Sequence, residues 1–233
     1  MIGVYDYTVV LTYLGLMAGV YGMTRAVEGH YRMAILCLAL CGLCDAFDGP
    51  IARTKKNRTD DQQSFGLQLD SLCDVICFGV FPAVISYMLG ARYFLGGIAI
   101  GYYVLCSVIR LAFFNVYEGN RQRSADPGEK IFRGLPVTSI SIILPLFFLL
   151  ETLMSEKLFS FLLAILLFVV GTLFILDFKM KKPKKKQVFI MMGITGAAVL
   201  FILLFTRYKL PKSTPEDEII DSIVAGELFD GGR

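Results

Sequence analysis

The sequence has little histidine, tryptophan or charge. His30 is the single histidine and tryptophan is absent, which argues against a catalytic or metal site built on imidazole groups. Charged residues make up 18% of the 233 residues, whereas a soluble domain carries about 25%. The net charge is only +3, so a nucleic-acid-binding protein has little support and we expect no nucleic-acid partner.

The cysteines also lack the pattern of a zinc or redox site. All six lie inside apolar stretches and not in loops: Cys37, Cys41, Cys44, Cys73, Cys77 and Cys106. Free cysteine commonly packs as a small apolar side chain, and we interpret these residues in that way. Cys41 and Cys44 form a CxxC pair, but the sequence holds no second pair with which to build a zinc site.

Apolar residues are what the sequence has in abundance. They make up 55% of the chain, the mean hydropathy is +0.62, and they fall in blocks long enough to span a membrane, which takes roughly 20 residues. We therefore predict an all-α, polytopic transmembrane helix bundle with six core spans and an extra C-terminal span. The predicted spans are 8–25, 32–53, 68–90, 93–115, 135–153, 158–178 and 187–206.

Basic residues concentrate in alternate connections between these spans. Residues 53–58, 121–133 and 179–186 carry most of them. Alternation places these three connections on one side of the membrane, and short basic loops are typical of the cytoplasmic side. We predict an integral protein of the cell (plasma) membrane, whose lysine-rich 179–186 stretch lies beside anionic lipid headgroups.

Four aspartates lie at the cytoplasmic ends of the second and third spans. Asp45 and Asp48 are three residues apart and Asp70 and Asp74 four apart, and both spacings place side chains on one helix face. A carboxylate near the membrane centre costs about 2.5–3.5 kcal/mol on insertion scales. Arg53 is one cation for four acids, so bound divalent metal is the simplest partner, and oxygen ligands favour Mg²⁺ or Mn²⁺. The alternative is pairing with neighbouring lysines at the interface.

These aspartates belong to a longer motif, D-x2-D-G-x2-A-R-xn-G-x3-D-x3-D. Its fixed positions are filled by Asp45, Asp48, Gly49, Ala52, Arg53, Gly66, Asp70 and Asp74. The motif resembles the signature of the CDP-alcohol phosphotransferase family, although the gap before Gly66 is longer than in the commonest form. The resemblance implies six core transmembrane helices, a homodimer and a polar cavity that opens to the cytoplasm.

Three further segments are similar to the bacterial and archaeal phosphatidylserine synthases of that family. They are residues 65–82, 110–115 and 132–136, although Phe113 stands where an arginine is usual. The resemblance implies transfer of a phosphatidyl group from CDP-diacylglycerol to L-serine, which gives phosphatidylserine and CMP. It also implies Mg²⁺ or Mn²⁺ as the cofactor, with two ions bound.

The resemblance implies roles for the motif residues. Asp45, Asp48 and Asp70 would be the principal metal ligands, and Asp74 would lie nearest the alcohol as a metal ligand, a general base or both. Asp70 and Asp74 are therefore the predicted catalytic residues. Arg53 would hold diphosphate oxygens, or it would reach toward the headgroups instead. Three small residues would let the cytidine group approach closely: Gly49, Ala52 and Gly66.

Three residues are candidates for binding the acceptor: Arg110, Asn115 and Arg133. Arg110 lies within an apolar span and needs an anionic partner. That partner is either the carboxylate of serine or a carboxylate of the aspartate cluster, and the sequence does not choose between them.

Other functions and a division of the chain were also considered. A cation transporter or channel would explain the acids but not the spacing of the small residues and Arg53, and a non-catalytic anchor would leave the acids unexplained. A third alternative keeps the chemistry and changes the acceptor to glycerol 3-phosphate, inositol phosphate or another small polyol. We predict a catalytic domain at 1–180, a basic loop with an additional span at 181–206, and a polar tail with a short amphipathic helix at 207–233.

Overall fold

The fold of the chain is helical throughout most of the residues that the computed structural model describes, which are 7–52, 54–55, 59–123, 132–180, 193 and 196–197. The helices are α1 Tyr7–Val27, α2 Tyr31–Ala52, α3 Asp60–Asp74, α4 Phe81–Met88, α5 Phe94–Arg123, α6 Ile140–Phe148 and α7 Glu156–Ile175. A π-helix, Val75–Val80, joins α3 to α4 and is called the π segment below. Short 3₁₀ turns, Val137–Ser139 and Leu149–Leu153, flank α6. Two short strands, β1 Phe132–Arg133 and β2 Lys179–Met180, pair antiparallel.

The predicted membrane bundle is confirmed. Five helical stretches of the described chain are long and apolar enough to cross a membrane: Tyr7–Val27, Tyr31–Ala52, Asp61–Met88, Phe94–Tyr117 and Glu156–Ile175. The shorter apolar helix Val137–Leu153 stands at the fifth predicted span. The seventh predicted span and the tail lie outside the described residues, apart from 193, 196 and 197.

The helices at the third and fourth predicted spans extend beyond the predicted bounds. The third begins at Asp60 instead of 68, because Thr59 caps it: the Gln62 backbone N–H donates to Thr59 Oγ1 at 3.2 Å, and the Thr59 N–H donates to Gln62 Oε1 at 3.4 Å. Such a capping box starts a helix in polar surroundings, before the apolar residues begin. The helix at the fourth predicted span, α5, continues to Arg123 instead of ending at 115. Hydropathy marks only the part of a helix that crosses lipid.

Two tight turns connect consecutive helices at one end of the bundle. Gly29 follows α1 with φ 79°, and Gly90 follows α4 with φ 110°. In each turn the next N–H reaches back five residues, from His30 to the Arg25 carbonyl at 2.8 Å and from Ala91 to the Ser86 carbonyl at 3.1 Å. This is the Schellman arrangement, which requires a left-handed residue and therefore favours glycine.

Small residues let the helices pack closely around one core, to which α1, α2, the π segment, α4, α5, α6 and α7 all contribute buried side chains. A Cβ at Gly22 of α1 would lie 2.3 Å from Phe81 Cζ, and one at Gly42 of α2 would lie 2.1 Å from Ser141 Oγ. The largest fully buried side chains include Tyr103, Phe78 and Phe81. Close approach of backbones through small residues is how helices associate within lipid.

Candidate active site

The four aspartates of the motif meet between α2 and α3. One carboxylate oxygen from each of Asp45, Asp70 and Asp74 lies within 4.8 Å of the others. The carboxyl groups of Asp48 and Asp70 also lie beside each other. All four side chains are half-buried. The structure thus brings together every acid that the spacing placed on facing helix surfaces.

Chain direction gives the cluster a shallow and a deep side. α2 runs toward the 53–59 connection and α3 runs away from it. Asp48 and Asp70 therefore lie nearer to that connection, and Asp45 and Asp74 lie about one turn further into the bundle. Such a cluster is suited to a ligand that enters from the side of the connection.

Basic partners for the cluster are missing from the part of the chain that the structure describes. The ion pairs found there join Glu28 to Arg25 and to His30, and both lie at the α1–α2 turn, at the other end of α2. Pairing with neighbouring lysines, the alternative to a metal, is therefore not observed among these residues. Four carboxylates with oxygen donors only suit a hard divalent cation, so the residues present fit Mg²⁺ or Mn²⁺.

The cluster lines a partly open cavity between α1, α2, α3 and the π segment. Thr12 of α1 contributes a hydroxyl, which donates to Asp48 Oδ2 at 3.4 Å. Four cysteines also line the cavity: Cys41, Cys44, Cys73 and Cys77. The Cys41 thiol donates to the Gly15 carbonyl at 3.2 Å.

All six cysteines are free and buried. This agrees with their interpretation as small packing residues, and it gives one side of the cavity an apolar wall of thiols. Ligand sites commonly combine an apolar wall of this kind with a few polar groups that orient the ligand.

The small motif residues lie on both helices beside the aspartates. Gly49 and Ala52 belong to the last turns of α2, Gly66 lies one turn before Asp70 on α3, and all three are half-buried. The Gly49 backbone also hydrogen-bonds the Asp48 carboxyl group. Arg53 lies outside the described residues, so its predicted contact with a diphosphate stays a prediction.

Arg110 is buried in α5, with 8% of its surface exposed. Its Nε donates to the Leu135 carbonyl at 3.3 Å, and its guanidinium carbon lies 5.8 Å from the centre of the Phe114 ring. Among the residues that the structure describes, no carboxylate lies within 4.0 Å of this guanidinium. Of its two expected partners, the aspartate cluster is therefore not the one observed.

The other two acceptor candidates differ in what the structure describes. Asn115 Oδ1 accepts a hydrogen bond from the Ser71 hydroxyl at 2.6 Å, and Ser71 follows Asp70 directly on α3. Asn115 is thus held at the helix that carries two of the aspartates. The backbone of Arg133 pairs with Lys179 in the two-stranded sheet, and its side chain lies outside the description.

Sequence reasoning missed two polar residues beside the cluster, Thr12 and Ser71. Ser71 could have been identified from the sequence, because its hydroxyl lies between two predicted metal ligands, Asp70 and Asp74, on the same helix. Thr12 had none, since only the packing of α1 against α2 shows that its hydroxyl reaches Asp48.

Comparison with known proteins gives several relatives. The chain is 34% identical over 140 residues to archaetidylserine synthase of Methanothermobacter thermautotrophicus. It is 32% identical over 143 residues to CDP-diacylglycerol–serine O-phosphatidyltransferase of Saccharomyces cerevisiae, and 31% identical over 147 residues to the enzyme of that name from Helicobacter pylori. These matches cover 60%, 58% and 62% of this chain and 56%, 50% and 56% of the relatives. The chain thus spans about half the length of the curated relatives that it matches.

A family-level match covers more of the chain. The sequence model of CDP-alcohol phosphatidyltransferases matches residues 7–176, which include α1 to α7 and every motif aspartate. The resemblance carried by the aspartate motif is thereby confirmed. The chain belongs to the CDP-alcohol phosphatidyltransferase family.

Proposed function

We propose that this chain transfers a phosphatidyl group from CDP-diacylglycerol to the hydroxyl of L-serine, giving phosphatidylserine and CMP, with Mg²⁺ or Mn²⁺ as cofactor. The observation that carries the proposal is the meeting of four carboxylates in one cavity, with no described cation beside them. The names of the relatives, two of which are CDP-diacylglycerol–serine O-phosphatidyltransferases, support the donor and the acceptor.

The aspartates would hold the metal. Asp45, Asp48, Asp70 and Asp74 supply enough oxygen donors for two ions that share ligands. When bound, such ions neutralise the charge of a diphosphate and stabilise the attacking and leaving oxygens.

The donor would lie along the shallow side of the cluster. Gly49, Ala52 and Gly66 have little or no side chain beside the aspartates, so a flat cytidine group can approach the helix backbones there. Arg53 follows directly after α2, and we propose that its guanidinium holds diphosphate oxygens.

Asp74 would act on the acceptor. The serine hydroxyl oxygen attacks the phosphorus of the phosphatidyl group, the bond from that phosphorus to the CMP oxygen breaks, and the Asp74 carboxylate receives the hydroxyl proton. The position of Asp74, deeper than Asp70, supports this role, because the donor diphosphate occupies the shallow side.

Arg110 would bind the serine carboxylate. A buried guanidinium is stable only beside an anion or enough acceptors, and the contacts described for Arg110 are a single carbonyl and an aromatic ring. Asn115, held beside the aspartate helix by Ser71, and Arg133 would contribute to the polar end of the same pocket. Binding by the carboxylate distinguishes serine from glycerol 3-phosphate and inositol phosphate, the alternative acceptors.

We also propose that the cavity opens to the cytoplasm and that the protein works as a homodimer in the plasma membrane. The basic connections support this orientation, and the homodimer follows from the resemblance alone. A transporter or channel loses its support, because the chain belongs to a family of transferases.

The test is an acceptor panel with purified protein. CDP-diacylglycerol and Mn²⁺ are supplied with L-serine, glycerol 3-phosphate or inositol phosphate, and CMP release is measured. We expect release with serine and only background with the other two. Release with a phosphorylated acceptor alone would contradict the proposed acceptor, and metal uptake into sealed vesicles without any CMP release would contradict the proposed chemistry.

A further inference from the structure

One backbone carbonyl of the π segment, that of Phe78, lacks the N–H partner that it would have in a regular α-helix. In an α-helix the Phe78 carbonyl would accept from the N–H of residue 82, but that residue is Pro82, which has no N–H. The Tyr103 hydroxyl of α5 donates to this carbonyl instead. Both residues are fully buried, at 0% exposure for Tyr103 and 1% for Phe78, so the bond is shielded from competing water.

The carbonyl lies within the π segment, which begins directly after Asp74. There the Phe81 N–H bonds to the Ile76 carbonyl five residues back, not four. This wider turn changes the rotation of the helix between the aspartates and α4, and short π insertions of this kind recur at functional sites. The direction in which Asp70 and Asp74 point thus depends on the π segment staying in place.

α5 packs closely against the π segment at this point. A Cβ at Gly79 would lie 2.6 Å from Ser107 Oγ, one turn along α5 from Tyr103. The Ser107 hydroxyl itself donates within α5, to the Val104 carbonyl at 2.7 Å. Tyr103 is therefore the described α5 side chain whose hydroxyl bonds to the backbone of the π segment.

We propose that Tyr103 is a positioning residue for the metal site. By donating to the Phe78 carbonyl it fixes the π segment, and through it the orientation of Asp70 and Asp74 toward Asp45. The inference rests on the proposed metal-dependent transfer. Tyr103 is not among the residues that line the cavity of the aspartates, and its effect would reach the reaction through the carboxylates.

The test compares two neighbouring tyrosines of α5. Tyr103→Phe removes the hydroxyl that bonds the π segment. Tyr102→Phe is the matched control, because the Tyr102 hydroxyl bonds Thr172 Oγ1 of α7 at 3.2 Å, away from the aspartates. For each variant, Mn²⁺ binding is measured by electron paramagnetic resonance, together with the Mn²⁺ dependence of CMP release and the melting temperature in detergent.

We expect Tyr103→Phe to raise the half-saturating Mn²⁺ concentration on the order of tenfold, as removal of a residue that orients metal ligands does. Its kcat should recover when Mn²⁺ is saturating. Tyr102→Phe should leave Mn²⁺ binding unchanged. In the double variant Tyr103→Phe/Pro82→Ala, residue 82 regains an N–H for the Phe78 carbonyl, and Mn²⁺ binding should return toward the wild-type value.

The outcomes separate positioning from support of the fold. A lower melting temperature for Tyr103→Phe with wild-type Mn²⁺ binding would overturn the inference, as would an equal loss of Mn²⁺ binding in the two tyrosine variants. If Tyr103→Phe does not fold, the double variant Tyr103→Phe/Pro82→Ala is tested in its place. The inference is overturned if this double variant still binds Mn²⁺ about tenfold more weakly than wild type. Wild-type protein that releases no CMP but binds Mn²⁺ contradicts the proposed function alone, and the binding comparison still decides the role of Tyr103.

Discussion

The four aspartates of the cluster differ in the groups that surround their carboxylates. Asp48 has the Thr12 hydroxyl and the Asp70 carboxyl group beside it, whereas Asp45 and Asp74 face each other and Asp70 from deeper in the bundle. Because the groups share one site, loss of one carboxylate removes a ligand or a base without leaving a new unpaired charge. Substitution by asparagine therefore separates chemistry from folding at these positions.

We expect Asp70→Asn and Asp74→Asn each to lower kcat about 100-fold or more, as loss of a positioned acid–base group commonly does. Asp61→Asn is the matched control, because Asp61 lies on the same helix with an exposed side chain. We would measure CMP release by detergent-purified protein and check the folding of each variant by size-exclusion chromatography. Near-wild-type turnover of folded Asp74→Asn would remove that residue from the mechanism.

A second prediction at the scale of single residues concerns Arg110. Arg110→Gln should raise the KM for serine about tenfold or more, since a hydrogen bond to a charged group contributes about 1.5–3 kcal/mol, and it should change the KM for CDP-diacylglycerol much less. Arg92→Gln at the exposed α4–α5 turn is the control. Equal changes in both KM values would show that Arg110 supports the helix packing and does not select the acceptor.

At the scale of elements, the close contacts of α1 should determine stability. Gly22→Ala places a Cβ 2.3 Å from Phe81 Cζ and 2.7 Å from Cys37 Cβ, and overpacking of this kind costs about 1–3 kcal/mol. Gly97→Ala is the matched control, because a Cβ at that position of α5 has no atom within 4 Å. Thermal unfolding in detergent should show a clear loss for Gly22→Ala and none for Gly97→Ala. A similar melting temperature for both would mean that α1 moves freely away from α4.

Hydropathy and charge predicted the helices well, because each signal is local. α1 and α2 begin and end within two residues of the predicted spans 8–25 and 32–53, and the motif spacing correctly brought four aspartates together. The early start of α3 could also have been predicted, since Thr59 and Gln62 have the spacing of a capping box.

The π segment and its partners could not be predicted in that way. Pro82 shows in the sequence that one backbone N–H is missing. Which helix supplies a substitute donor depends on how α5 packs against the π segment, and a single sequence does not show that packing. The same holds for Thr12 and Asp48, which are 36 residues apart in sequence and meet only because α1 packs against α2. A single sequence shows which hydrogen-bonding side chains each helix carries, but it does not show which other helix they contact.

At the scale of the whole molecule, the proposed orientation of the bundle rests on the basic connections. Asp61→Cys lies at the start of α3 beside the 53–59 connection, and His30→Cys lies at the opposite end of α2. We expect a membrane-impermeant maleimide to label residue 61 only from the cytoplasmic side and residue 30 only from the other side. The six native cysteines are buried, so the unsubstituted protein is the control for background. Labelling of residue 61 from outside the cell would contradict the proposed orientation.

Divalent metal held between α2 and α3 is the central claim about the whole molecule, and Mn²⁺ binding by purified protein tests it most directly. After chelation with EDTA and its removal, Mn²⁺ is titrated back and followed by electron paramagnetic resonance and CMP release in parallel. We predict that binding and turnover return together in wild type and in Asp61→Asn, and that both are lost in Asp45→Asn and Asp70→Asn. Full turnover in the presence of EDTA, or undiminished Mn²⁺ binding in Asp45→Asn and Asp70→Asn, would contradict the claim.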